Sequence, residues 1–430
     1  MHIFAELFQM NPRKEFSIFF LLFLLPSTVF SQDWSKRHAF AKAYFGIGTY
    51  YIPQVNPGTI LNNNGSAESF SKAPFMTPSI NIGATHFWGY ADFFISITTT
   101  DISLGKNTIE NNYRLGTFTG LRAYPSPTKV GKIRPFVGYA FTPMRYTQIN
   151  ETGEIFKHTS VKSVLSTGLS YQLSNAYLTM EYGYTVNPVF ESYLSKTQKG
   201  SDAFPKSMLQ VGLNWTIETT RTAATEETRK ANKLFSASND NGLFIAVGPS
   251  SAFPMKKSVY IDNIRPYLDN LGFPAIFPEF AGGYHFSKSD FVIAAAFRRM
   301  NQKRNAFGYT STMKRQSLNL EGYKFLFDYH GFVPYLGLGI SRERLDYTHS
   351  ENGTALDPVS QQVWSPNVVF GWDIRPSQKG DWWLLRTNLR YFPTLRLEID
   401  RESISQQYLE FNFIQFVLYP QRLMKIKKGL

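Results

Sequence analysis

Along most of this chain, apolar and polar side chains alternate in short stretches. In "LQVGLNWTI", Leu209, Val211, Leu213 and Trp215 share one face and Gln210, Gly212, Asn214 and Thr216 the other. "YLTMEYGYT" sets Leu178, Met180, Tyr182 and Tyr184 against Thr179, Glu181, Gly183 and Thr185. "VWSPNVVFGWDIR" sets Val368, Phe370, Trp372 and Ile374 against Asn367, Gly371, Asp373 and Arg375. "WWLLRTNLRY" sets Trp383, Leu385, Leu389 and Tyr391 against Arg386, Asn388 and Arg390. A period of two is the strand signature. It predicts strands at 40–52, 75–87, 91–101, 112–124, 133–147, 159–173, 176–186 and 207–219. A second set follows at 242–253, 275–287, 290–300, 312–327, 332–347, 363–375, 382–398 and 407–419.

Such strands suit a soluble sandwich or a barrel in lipid with its polar face inward. Three features favour the barrel. Tyr and Trp stand near the ends of the apolar faces, as in interfacial girdles. Arg, Glu and Asp stand at the centres of the polar faces. The connections alternate: "HFWGYAD", "LSNAY", "FSKSD" and "DYHGF" are tight, whereas 53–74, 187–206, 254–274 and 348–362 are long and polar. Short periplasmic turns alternating with longer external loops are an outer-membrane pattern. The expected fold is all-β, a transmembrane antiparallel barrel.

The two sets of strands match. "IRPFVGYAFTP" in the first half and "FVPYLGLGISR" in the second each open the fifth strand with Pro, an aromatic, an aliphatic and Gly. "GATHFWGYADFF" pairs likewise with "GGYHFSKSDFV". The halves therefore read as a duplication of an eight-stranded unit. Glycine weakens a strand unless neighbouring bulk or a bent wall needs the room. The motif residues are Pro135, Phe136 and Gly138, then Pro334, Tyr335, Gly337 and Gly339. In them the chain resembles the small outer-membrane barrels of the OmpA/OmpX/OmpW-like, porin-like superfamily, whose Bacteroidota-type members carry a Pro-Tyr-x-Gly-x-Gly strand. Two departures stand out. The first copy has Ala140 at the second Gly position, and "QRLMKIKKGL" follows the last strand, where that family ends on an aromatic residue.

The segment 220–241, "RTAATEETRKANKLFSASNDNG" with its immediate flank, is polar and lacks apolar periodicity. A linker of about twenty residues joins two closed units more naturally than it turns one wall. Tandem eight-stranded barrels over 32–219 and 242–420 are expected, with one sixteen-stranded barrel as the alternative. A basic tail, 421–430, is expected to be solvated. By parity Arg114, Arg122, Lys162 and Glu181 point inward in the first half, and Glu321, Asp373, Arg386, Arg390 and Glu410 in the second. In a narrow barrel such charges pair and fill the lumen. In a wide one they would line a channel.

Composition sharpens the location. After Arg13-Lys14 comes an apolar run ending at Pro26, with Val29 and Ser31 placed for cleavage before Gln32. This pattern predicts a secretory signal peptide over 1–31, with Met10 as a candidate true start. The chain has 430 residues, 16% aromatic, and no cysteine, which excludes disulfides, Cys-ligated zinc and thiol catalysis. The +13 net charge finds its partner in lipopolysaccharide phosphates rather than nucleic acid. Of seven His, His86, His285 and His330 fall at periplasmic ends. His158 and His349 lie in external loops without a companion catalytic motif, and no GxSxG, HExxH or phosphate loop occurs. No enzyme activity, metal or cofactor is expected. The expected role is structural or surface-binding, through external loops that meet lipid, polysaccharide or protein. A passive pore is the alternative, and a lipid-modifying enzyme the remote one.

Overall fold

The computed structural model describes residues 40–427, apart from 54–57, 62–63, 71–72, 87–88, 101, 104–110, 151–152, 219–240, 256–263, 270–275, 329–330, 376–380 and 400–401. The expected signal peptide and nearly all of the expected linker lie outside the described residues.

The first wall consists of β1 (Phe40–Ile52), β2 (Phe75–His86), β3 (Ala91–Thr98), β4 (Phe118–Ala123), β5 (Ile133–Ile149), β6 (Ile155–Gln172), β7 (Ala176–Thr185) and β8 (Ser207–Glu218). The second consists of β9 (Gly242–Pro254), β10 (Ile276–Phe286), β11 (Phe291–Ala306), β12 (Tyr309–Phe325), β13 (Phe332–Glu351), β14 (Val359–Ile374), β15 (Trp383–Ile399) and β16 (Glu402–Leu418). Each neighbouring pair is antiparallel, and each wall closes on itself. In the first, β1 pairs with β8 from Lys42 opposite Glu218 to Tyr51 opposite Leu209. In the second, β9 pairs with β16 from Ile245 opposite Leu418 to Pro254 opposite Tyr408, across a bulge. The fold is two closed eight-stranded barrels, and the sixteen-stranded alternative is overturned by these two seams.

Outside, both walls are apolar: Phe45, Ile47, Val137, Leu165, Leu169, Met180 and Val211 are exposed on the first, and Leu243, Ile245, Phe280, Phe297, Leu318, Leu320 and Leu338 on the second. That face suits hydrocarbon, and closure leaves no strand edge unpaired within it.

The second barrel is taller than its composition suggests. Spanning a bilayer takes about ten residues per strand, yet β13 has 20. The polar run "RRMNQKRNA", which resembles a loop, continues the alternation of β11 to a two-residue turn at Phe307–Gly308 (φ 45° and 76°). Likewise the region expected as a long loop at 348–362 is strand up to Glu351 and a turn at Asn352–Gly353 (φ 47° and 82°). Two consecutive positive φ values mark hairpin turns whose twist matches the strands, and glycine takes the second position freely. The first barrel's external loop 186–206 is also folded, as a hairpin of Val189–Tyr193 with Lys199–Ala203.

The basic tail departs from a solvated end. It forms the helix α1 (Pro420–Lys427). Arg422 turns back into the periplasmic mouth of the second barrel, where it stacks over the Tyr419 ring at 3.9 Å and donates to the Asp381 carbonyl at 3.2 Å. Lys425 and Lys427 are exposed.

Since each wall closes on its own strands, residues 32–220 and 240–430 should each fold alone in detergent. Each fragment should migrate differently on gels before and after boiling. Loss of that shift in both, with its retention in the whole chain, would contradict separate closure.

Candidate functional site: the barrel interiors and their external junction

Eight strands enclose little space, so inward side chains meet across the lumen. In the first barrel Arg122 on β4 donates to Glu181 on β7 at 2.9 and 2.6 Å and to Gln210 on β8 at 3.1 Å. Its guanidinium lies over the rings of Phe94 at 4.0 Å and Phe136 at 5.3 Å. Toward the periplasm, Arg134 covers the Tyr124 ring at 3.9 Å, and the Tyr124 hydroxyl donates to Asp92 at 2.6 Å. Lys162 is half-buried near the external end, donating to the Asn187 carbonyl at 2.7 Å.

The second barrel holds a denser network. Arg390 makes a forked pair with Glu279 at 2.7 and 2.9 Å and also donates to Glu321. Arg298 sits 2.7 Å from Glu410, Arg315 sits 2.9 Å from the same carboxylate, and Arg315 forks onto Glu343 at 2.7 and 2.8 Å. Nearer the periplasm, Arg386 forks onto Asp373 at 2.6 and 2.8 Å and donates to the Tyr323 hydroxyl. Four arginines thus meet five carboxylates. Arg298, Glu279, Glu343 and Asp373 are each 0% exposed. A side chain lining a water-filled channel keeps accessible area, so this layer contains no open lumen.

The Pro-aromatic motif serves these networks. Pro135 and Pro334 are each the third residue of the fifth wall strand. The following aromatic lies beneath a paired arginine in both barrels: Arg122 over Phe136 at 5.3 Å and Arg386 over Tyr335 at 5.5 Å. Glycines clear the space. A Cβ at Gly371 would meet the Tyr335 hydroxyl, one at Gly337 the Tyr323 side chain, one at Gly339 the Asn367 amide and one at Gly138 the Ser166 hydroxyl.

Arg114 departs from its expected inward position: it is exposed. The expected strand 112–124 is broken at Gly116–Thr117 into Asn111–Leu115 and β4. Leu115 pairs with Met144 and Thr119 with Phe141, so four steps on one side match three on the other. That one-residue bulge flips the faces. Tyr113 and Leu115 point inward instead, and Thr98 donates to the Leu115 carbonyl at the break (2.6 Å).

Glu279, Arg298, Arg315 and Glu343, central to the network, lie inside the expected strands 275–287, 290–300, 312–327 and 332–347 but are not among the expected inward charges, although Arg315 shares the parity of Glu321 and Glu343 that of Tyr335. Glu279 shows one usable signal, its place on the inner face of "IFPEFAGG" beside Phe277.

At the external end the barrels dock. The hairpin tip of the second reaches the first: the Phe307 amide donates to the Ile155 carbonyl at 3.1 Å, and its ring stacks on Phe156 at 6.3 Å. Thr159 donates to Asp269 through its amide (2.8 Å) and its hydroxyl (2.5 Å). Lower down, Phe141 meets Phe411 edge-on at 6.1 Å. Lys196 donates to Glu351 at 2.8 Å, and Arg265 pairs with Glu351 at 3.4 Å. The Lys196 ammonium holds the Glu351 carboxyl below its ordinary value. This contribution is therefore full at neutral pH and is lost as the pH falls through the lowered value. Being solvent-exposed, it is weak.

His158 stacks on Phe190 at 4.4 Å, and His349 accepts from or donates to Tyr309 at 3.0 Å. Among the described residues no group of three His, Cys, Asp or Glu side chains is placed to hold a metal.

No protein-family model matches the chain, and no curated protein matches it. Solved structures similar to it include Neisserial surface protein A, with 14% identity over 41% of this chain and 97% of that one, at a TM-score of 0.30. Another is Ail, the attachment invasion locus protein of Yersinia pestis, in complex with the heparin analogue sucrose octasulfate. Its match has 12% identity over 42% of this chain and 97% of that one, at a TM-score of 0.28. An outer membrane channel from Pseudomonas putida F1 matches with 10% identity over 91% of this chain and 99% of that one, at 0.23. The location of this chain rests on its own walls, which are closed, antiparallel, apolar outside and charged within. It is a β-barrel protein of the Gram-negative outer membrane.

Two outcomes follow. Glu279→Ala removes the forked partner of Arg390 in a buried interior and leaves it Glu321 alone, which should cost about 3–5 kcal/mol and lower the urea midpoint. Glu191→Ala, at the exposed pair with Lys199, should cost under about 1 kcal/mol. Equal effects would refute the buried network. In vesicles, a membrane-impermeant maleimide should label Arg114→Cys and spare Arg122→Cys. Protection of both would restore the unbulged register, which places the two positions on one face.

Proposed function

We propose that this is a non-enzymatic, non-conducting outer-membrane protein that presents a rigid external surface. Its two barrels serve as anchors, and its binding faces are the extended hairpins and folded loops. Contact with lipopolysaccharide, surface polysaccharide or another protein is the role this arrangement suits. Cleavage before Gln32, a linker over 220–241 and descent of the two barrels from one duplicated unit belong to the same reading. The shared placement of Pro135 and Pro334 supports that descent.

The observation that carries the reading is the fully buried charged layer of the second barrel, whose Arg298 and Glu279 lack any exposed surface. Conduction would require those pairs to open, and each separation leaves buried charge uncompensated. The first barrel is occupied at its external end as well. Phe190 and Phe204 pack there at 4.6 Å, beneath the hairpin that bears them, and Tyr146 meets Phe190 at 5.4 Å.

Purified protein in planar bilayers should give no stable conductance at neutral pH, and proteoliposomes holding it should not swell in small sugars. Long-lived openings of porin size would overturn the proposal in favour of a passive pore.

A further inference from the structure

Above the apolar bands, the docked barrels enclose a cleft of about 370 Å³ lined by Arg145, Lys157, Asp269, Lys303, Arg304 and Asn305. Arg145 and Lys157 stand on the outer face of the first barrel, beyond Phe141 and Val161. Lys303 and Asn305 stand on the outer face of the β11 stem, beyond Phe297. Neither barrel forms the cleft alone.

Its parts are held in place. Both oxygens of Asp269 accept from Thr159, at 2.8 and 2.5 Å, which fixes the loop of the second barrel against the first. Lys157 donates to Asn305 at 3.0 Å across the junction. Arg114 adds further positive charge, since it pairs in register with Arg145. The Arg145, Lys157 and Lys303 side chains thus bring three positive charges to one recess. Among the described residues lining the cleft the carboxylate is Asp269, which offsets part of that charge and leaves the recess net positive. Arg304 contributes to the wall, while its charge lies near Tyr408 inside the second barrel.

Like charges gathered in a recess repel one another, and an anion seated among them relieves that repulsion. The cleft lies on the external side of the apolar walls, four residues beyond Phe141 and Val161 on the first barrel and six beyond Phe297 on the second, the side on which the phosphates of an outer-leaflet glycolipid stand. We propose that this inter-barrel cleft is a phosphate-binding site that receives the phosphorylated headgroup of such a glycolipid and clamps the two barrels together. The inference rests on the outer-membrane reading for the source of the ligand. The cleft itself requires only phosphate chemistry.

The test uses full-length mature protein in non-ionic detergent. It is titrated with a diphosphorylated glycolipid, with the same lipid after dephosphorylation, and with inorganic pyrophosphate. The expected result is one diphosphorylated lipid bound per chain, with dephosphorylation abolishing binding. The double variant Lys157→Gln/Lys303→Gln should bind about ten-fold or more weakly, as loss of charged hydrogen bonds implies. The control Arg342→Gln/Arg344→Gln removes equal charge from exposed positions on β13 and should bind like the parent. Pyrophosphate binding as tightly as the lipid, with the same variant dependence, would assign the site to a soluble phosphate. Absence of binding by the parent, or equal loss in the two double variants, would overturn the proposal. Variants that keep the migration shift on boiling are folded, so their result reads on the cleft. Failure of the parent to fractionate with outer membranes would instead strike the outer-membrane reading alone.

Discussion

In hydrocarbon a backbone N–H or C=O without a partner costs several kcal/mol, and that single constraint shapes the rest of this molecule. A wall of strands must close, and here it closes twice, at β1 with β8 and at β9 with β16. Closing on eight strands makes the lumen narrow, so inward side chains touch across it. Bulky inner residues such as Tyr335 and Tyr323 then need neighbours without side chains, which is why Gly371 and Gly337 stand beside them. Glycines that would weaken an isolated strand are what allow this one to pack.

The same narrowness governs the charges. Carboxylates and guanidinium groups taken out of water must be paired and hydrogen-bonded. The second barrel pairs its charges by sharing: Glu410 lies between Arg298 and Arg315, and Arg390 between Glu279 and Glu321. An apolar filling could be as stable. The charged one specifies a single arrangement of eight strands, because pairs such as Glu279–Arg390 and Arg298–Glu410 tie strands far apart in sequence. Both barrels also use one repeated device, an arginine paired to an acid and resting on the motif aromatic. Outside the membrane, docking depends on strands that outrun the bilayer, since the tips of tall hairpins can reach a neighbouring wall.

Much of the wall was legible from alternation alone, as in "LQVGLNWTI", where the two faces differ at every step. The motif strand was legible because Pro, an aromatic and Gly recur at matching places. The face of Arg114 was not, since a bulge at Gly116–Thr117 adds one residue without altering the local pattern. The upper stem of β11 beyond residue 300 was not either: above the membrane both of its faces are polar, and composition there mimics a loop. Glu279, Arg298, Arg315 and Glu343 lay within the expected strands, and a strict parity count would have placed them inside. The burial of Arg422 and the inter-barrel cleft depend on contacts between distant segments, which periodicity does not encode.

The absence of cysteine from the chain makes its central feature, two separate seams, directly measurable. Thr49 stands opposite Val211 across the first seam and Val247 opposite Phe416 across the second. Partners in an antiparallel wall lie about 4.5–5.5 Å apart at Cα, within disulfide range. Cysteines placed at either pair in protein assembled in outer membranes should cross-link on mild oxidation, giving a species that resists strand separation on boiling. A disulfide between cysteines at 211 and 247, formed in place of those two, would show β8 running beside β9 in one large wall and would contradict the two-barrel structure.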